Sequence, residues 1–370
     1  MKKLLVMAVA LASVNAFATR ARVNALANSP HLIDTQTVYR NPSDMFFVGG
    51  DYATIETGLS VAAVSQDATG AITGGQSGAE GMVVRSMGDA KMGLSLGHDS
   101  ENAYVLRAQG GVPVAIRTQQ NPIELSYGMK AGDMAWGATL VYSNYKDKTA
   151  TDLKEDTAGI RAGMRMGALD ADLRVGLSNN ASSAAFGKFK GTLGLGARVG
   201  YAMDTVYLAA DANLAGFKVE DNTGKETAKV DNTTIGVSAT NSHKKDGSEF
   251  FYGVGLNSVT SKNGTTDYKV TQLNLPVWMG LEVDAASWLV LRGSVKQTVL
   301  INDNKVETNA STTAVDESPG LNNTVATVGA GLKFNKITLD GSLGALSGPA
   351  ATQALNANNL LGQVGLTYMF

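Results

Sequence analysis

The 370-residue sequence contains no cysteine, so neither a disulfide framework nor a thiolate metal site holds it together. It has only 7 prolines and 6% aromatic residues, and charge is sparse and nearly balanced, at 31 basic against 33 acidic side chains. That balance excludes the basic footprint of a nucleic-acid-binding protein. Beyond the N-terminus no apolar run approaches the roughly 18 to 20 residues that a membrane-spanning helix needs. Histidine is scarce too: His31, His98 and His243 have no ligand-type spacing, so no metal or other cofactor is expected. The glycine pairs Gly74-Gly75 and Gly110-Gly111 lack the strand-to-helix setting of a phosphate loop.

The first feature present is a leader. Lys2 and Lys3 precede an apolar run over 4–14, and Ala16-Phe17-Ala18 offers a small-x-small cleavage site. Residues 1–18 thus read as a secretory signal peptide cut after Ala18. Its removal leaves 29 basic and 33 acidic residues (29 − 33 = −4). The exported chain would then consist of a non-alternating segment, 19–50, and an alternating body, 51–370.

Alternation dominates the body. Units of about ten residues with apolar side chains at every second position recur between turns, giving about sixteen strands (14 or 18 being the alternatives). Their expected spans are 52–64, 80–87, 90–98, 123–130, 134–146, 156–166, 171–178, 190–202, 205–219, 230–240, 249–260, 268–283, 288–299, 324–334, 337–346 and 360–370. Connections alternate between short turns, such as Gly88-Asp89 and Asn335-Lys336, and longer polar segments such as 99–122, 179–189, 220–229 and 300–323. The connection near 241–248 is longer than this pattern requires.

Facing follows from the period of two. Over 156–166, Ala158, Ile160, Ala162, Met164 and Met166 share one face, and Thr157, Gly159, Arg161, Gly163 and Arg165 the other. Charges keep to one face throughout. An arginine facing the bilayer midplane costs about 2 to 4 kcal/mol, so the apolar face belongs outside and the charged face inside a barrel. Trp136, Tyr201, Phe250, Tyr252, Phe334, Tyr368 and Phe370 lie on the apolar face near the short-turn ends, as a membrane-interface belt would.

The last strand, LLGQVGLTYMF, carries Leu360, Gly362, Val364, Leu366, Tyr368 and Phe370 on one face and ends on an aromatic. It resembles the assembly signal of Gram-negative outer-membrane β-barrels. The segment Val38-Tyr39-Arg40-Asn41-Pro42-Ser43-Asp44 resembles the one that precedes strand one in several outer-membrane families, fatty-acid transporters among them. With the low charge and high glycine content, it is also similar to the major porins of Bdellovibrio-type predatory bacteria. The resemblance implies an all-β, transmembrane, antiparallel up-and-down β-barrel in the outer membrane. Its implied partners are outer-membrane lipid and lipopolysaccharide, the barrel-assembly machinery through the C-terminal strand, and, in a trimer, two further copies.

The implied function is a general diffusion porin for small hydrophilic solutes, with no catalytic residues. A barrel of about 16 strands leaves an aqueous channel. The expected pore-lining residues are Arg85, Arg161, Arg165, Asp172, Arg174, Arg198, Asp211, Glu282, Arg292 and Lys296, and their excess of cations points to a weak anion preference. A four-residue turn over 167–170 would pair Met166 with Ala171 and set Arg165 opposite Asp172, Arg174 opposite Gly163 and Arg161 opposite Gly176. The segment 19–50 either plugs the lumen or lies beneath it, and the 99–122 loop either folds inward or stands outside.

Three other functions are compatible with a barrel. One is a hydrophobic-substrate transporter, and another is a structural or adhesive surface barrel. A third rests on His98-Asp99-Ser100, which resembles the His-x-Ser of outer-membrane phospholipase A if His98 follows Met92, Leu94 and Leu96 onto the lipid side. Glu101 departs from that family's motif.

Overall fold

The computed structural model describes residues 19–58, 65–66, 72–73, 78–98, 121–148, 152–185, 187–265, 268–300, 305–307, 323–347 and 360–370. The expected leader, Ser100 and nearly all of the 99–122 loop lie outside these residues. Sixteen antiparallel strands close a ring. They are β1 Tyr52–Gly58, β2 Gly78–Met87, β3 Ala90–Leu96, β4 Ile123–Ala131, β5 Met134–Lys146, β6 Lys154–Met166, β7 Leu169–Ser183 and β8, in two pieces, Gly187–Gly191 and Gly194–Met203. The second half is β9 Val206–Glu220, β10 Glu226–Lys245, β11 Ser248–Asn263, β12 Tyr268–Ala286, β13 Leu289–Leu300, β14 Asn323–Phe334, β15 Ile337–Ser347 and β16 Leu360–Met369. Lys305–Glu307 extends the edge of β12 beyond β13, and Ser65–Gln66 pairs with Ile72–Thr73 in a separate two-stranded sheet.

Each strand pairs with its neighbours in sequence, and β16 closes on β1 with Ala53 opposite Tyr368 and Glu56 opposite Gly365. Closure removes the unpaired edges that an open sheet would present. One rim consists of two-residue turns, including Gly88-Asp89, Gly167-Ala168, Asp246-Gly247 and Asn335-Lys336. The other rim is uneven. Residues expected in the loops 179–189 and 220–229 are largely strand, because β7 continues to Ser183, β8 starts at Gly187 and β10 starts at Glu226. The doubtful connection near 241–248 is another tight turn, since β10 runs to Lys245.

The alternation is visible in exposure. Ile160, Val199, Val237, Leu281, Val328 and Val364 are exposed on the outside, whereas Glu56, Glu124, Arg161, Arg198, Glu282 and Arg292 are buried inside. The seven expected belt aromatics are all on the outer face, from Trp136 at 36% exposure to Phe334 at 54%. The barrel's interior polar groups are buried because protein covers them. Near the short-turn rim that cover is residues 19–50, which form helix α1 (Arg20–Ala25), two 3-10 turns (Thr37–Tyr39 and Pro42–Phe46) and the chain between them.

Apolar contacts also tie the segment to the wall. Val38, Tyr39, Met45 and Val48 pack on Tyr52, Met82 and Val84, while Leu26, Ala27 and Leu32 pack on Phe251 and Trp278. A third cluster lies towards the uneven rim, where Ala181, Phe189, Phe217 and Val230 meet and the two phenylalanine rings stack at 5.2 Å.

Candidate functional site: the plugged lumen

Residues 19–50 cross the lumen near the short-turn rim and meet the wall around its circumference. Arg22 makes the central contact, its Nε 2.7 Å and its Nη2 3.0 Å from the two oxygens of Glu282 on β12. Arg292 of β13 reaches the same carboxylate at 2.6 Å and donates to Asp340 of β15. Such charge-assisted, partly bidentate pairs are among the strongest protein hydrogen bonds. Asp34, within the segment, lies 3.6 Å from Arg22, and burial pushes its carboxyl up to about 6 against the pull of that guanidinium.

Further contacts follow around the ring. Arg20 donates to Glu80 at 2.5 Å, His31 meets Glu249 at 2.9 Å, and Lys91 donates to the carbonyls of Met45 and Gly50. Arg165 pairs with Asp44 at 2.5 Å, and Arg198 donates to the Pro30 carbonyl at 2.8 Å. Asn24 bonds to Gln363 of β16. The wall is shaped for this backbone: a Cβ at Gly137 would lie 2.7 Å from the Pro42 carbonyl carbon, and one at Gly163 would overlap the Asn41 side chain. Asn41 in turn caps the second 3-10 turn, accepting from the Ser43 N–H at 3.1 Å.

Nine of the ten expected pore-lining residues stand on the inner face. Arg161 is occupied by Glu124 in a buried bidentate pair at 2.5 and 2.8 Å. Arg165, Arg198, Glu282 and Arg292 belong to the network just described. Asp211 stands opposite Arg198 across the ladder. Asp172 is encircled by Arg174, Arg40 and Arg198 at 3.7, 3.8 and 3.9 Å, all beyond hydrogen-bonding distance. Lys296 is half-buried with no carboxylate in salt-bridge range among the described residues. Arg85 is the exception. It stands opposite the lipid-facing Met92, lies 3.2 Å from Asp51 and covers the Phe370 ring at 5.1 Å. At the strand's end a long cation can sit outside, because it reaches the polar interface.

Two local expectations are corrected. The hairpin turn is two residues, Gly167-Ala168, so Met166 pairs with Leu169 and Arg165 opposes Asp170, not Asp172. Gly163 therefore faces Asp172, and Arg161 and Arg174 stand opposite each other; neither has the glycine partner expected for it. Asn213 holds Arg174 at 3.0 Å, and Glu124 neutralises Arg161. His98 is also misplaced by simple alternation. Gly97 takes a left-handed φ of +81°, which breaks the period and turns His98 inward. There its Nδ1 lies 2.8 Å from Glu80 and its ring stacks on Tyr39 at 3.6 Å, so it does not face lipid.

The sequence offered little sign of Glu80, Glu249, His31 and His98 as wall-to-plug contacts. The available signal was the combination of a non-alternating, charged segment with glycines on the charged faces of β5, β6 and β16.

No protein-family model matches the chain, and no curated protein does. Among solved structures it is similar to a bacterial polysaccharide outer membrane secretin, at 8% identity and a TM-score of 0.51, over 87% of this chain and 98% of that one. The chain has the fold of an outer-membrane β-barrel. Other similar structures are OmpT of Vibrio cholerae with loop L8 deleted (12% identity, TM-score 0.45, 86% of this chain and 97% of that one) and a porin (7%, 0.40, 86% and 99%).

Proposed function

We propose that the protein is an outer-membrane channel for small hydrophilic solutes, narrowed from the short-turn side by residues 19–50 and weakly selective for anions. This replaces the wide-open general porin with one in which solutes pass beside a polar plug. The observation that carries the proposal is the group around Asp172. Both Asp172 oxygens, Arg40 Nε and Nη2, and Arg174 Nε have no hydrogen-bond partner among the described residues. Buried charged atoms in that condition are completed by water. The side chains of Arg40 and Arg174 are also 30% and 26% exposed, which supports a wet route between plug and wall.

Arg40, Arg174 and Arg198 face Asp172, while Asp170 meets Arg198 at 3.4 Å and Asp211 stands opposite it, so the surplus positive charge on the inner face rests on Lys296. A ring biased this way favours anions. Passage of this kind needs no reaction and no cofactor.

The test is conductance of the purified protein in planar bilayers. Small, steady steps are expected in the wild type, and larger ones in an Arg22→Gln/Arg165→Gln variant that loosens the plug. The absence of steps in both overturns the channel. Replacing Arg174 and Lys296 with Ala should move the reversal potential towards cation preference; an unchanged potential removes them from the selectivity role. A second reading, transport of hydrophobic molecules, draws on the inward Phe189–Phe217 cluster, and uptake of an apolar but not a hydrophilic solute would favour it.

A further inference from the structure

Four adjacent strands place a row of inward residues at one height: Asp340 on β15, Gly365 on β16, Glu56 on β1 and Glu80 on β2. Asp340 is opposite Gly365, Gly365 opposite Glu56, and Glu56 opposite Glu80. Three carboxylates within four positions repel one another, and like charges directly opposite destabilise a sheet. Two have cations. Asp340 is bound by Arg292, and Glu80 by Arg20, with the His98 ring a further hydrogen-bond partner of Glu80.

Glu56 is different. Only 3% exposed, it accepts the Arg20 backbone N–H at 2.6 Å and the Gln36 amide at 3.0 Å, and among the described residues it forms no ion pair. Gln36 bridges Glu56 to Glu80 without adding charge. An ionised carboxylate buried without a counter-ion is costly.

The gap in the row is filled by Thr19. Gly365 has no side chain, and a Cβ there would lie 2.5 to 2.8 Å from the side-chain atoms of Thr19. Thr19 is fully buried, donates its hydroxyl to Asp340 at 3.3 Å, and directly precedes the Arg20 N–H that Glu56 accepts. Its backbone nitrogen is one residue before the N–H that Glu56 accepts, on the residue whose hydroxyl meets Asp340. That nitrogen belongs to the peptide bond at which Ala16-Phe17-Ala18 marks a leader-peptidase site.

We infer that cleavage between Ala18 and Thr19 creates the missing cation, and that the α-ammonium of Thr19 is bound inside the barrel between Glu56 and Asp340 as a fixed part of the plug. The step consumes one water: the Ala18–Thr19 amide breaks, Ala18 leaves with a carboxylate, and the Thr19 nitrogen is protonated. Processing thus does more than release the chain. It adds a positive charge at the one carboxylate of the row that has none and leaves Thr19 seated over Gly365. The assignment holds whether or not solutes pass through the lumen.

The test uses the mature protein purified in detergent. Mass spectrometry should find Thr19 as the first residue. An amine-selective acylating reagent should modify its α-amino group at least about tenfold more slowly than in the urea-unfolded chain, because reaction waits on local opening. The pH dependence of that reaction should show an α-amino pKa raised by about one unit over its ordinary value near 8. In Glu56→Gln the rise should shrink while protection persists, which separates pairing from simple burial. A refolded chain carrying Gly-Ser before Thr19 should melt at a lower temperature. A first residue other than Thr19, acylation at the unfolded rate, or an unshifted wild-type pKa overturns the inference, and the wild-type measurements decide it even where a variant fails to fold.

Discussion

The two halves of the lumen are built on different principles. Near the short-turn rim, wall and plug are joined by ion pairs between residues far apart in sequence, such as Arg22 with Glu282 and Arg165 with Asp44. Towards the uneven rim the described interior is held by residues of the wall alone, such as Phe189 with Phe217 on adjacent strands and, nearer mid-height, Arg161 of β6 with Glu124 of β4 across the intervening β5. The first arrangement fixes a separate segment inside the barrel, and the second only braces the wall against itself. A charged lining therefore has two uses here, and spacing along a strand does not distinguish them.

Breaking the shared carboxylate tests the contrast most severely. Glu282→Gln leaves Arg22 and Arg292 short of a buried partner and should cost about 3 to 5 kcal/mol. Thermal unfolding should register the loss, and limited proteolysis should cut within 19–50. Phe217→Ala comes next, at about 3 kcal/mol for a fully buried ring, with proteolysis of 19–50 unchanged. If it exposes that segment, the halves are not independent. Combining the two variants sharpens the point, since distant sites should be additive within about 0.5 kcal/mol. The smallest effect is expected for Asn41→Ala, about 1 kcal/mol from loss of the cap, with faster proteolysis near Pro42 as its sign.

The strand pattern was legible because a lipid-facing wall enforces a period of two, and every expected strand has its counterpart in the ring. The register at 167–170 was not, because Leu169 and Asp170 look like turn residues until the ladder claims them. Arg165 and Glu282 stand on the inner face, but an inward charge carries the same sequence signature whether it meets water or residues 19–50. Parity failed at His98 for a backbone reason, since the left-handed Gly97 before it turns that side chain to the other face. Arg85 failed for a boundary reason, because the rule against outward charge relaxes where the membrane ends.

The contacts of Thr19 and Asn24 with Asp340 and Gln363 also impose an order in time. These partners are 321 and 339 residues apart, and Asp340 and Gln363 stand on the last two strands of the chain. Contacts so distant along the chain form late, after the loops between them have closed. Residues 19–24 must wait for the last strands, and their seating would report that the ring has been completed.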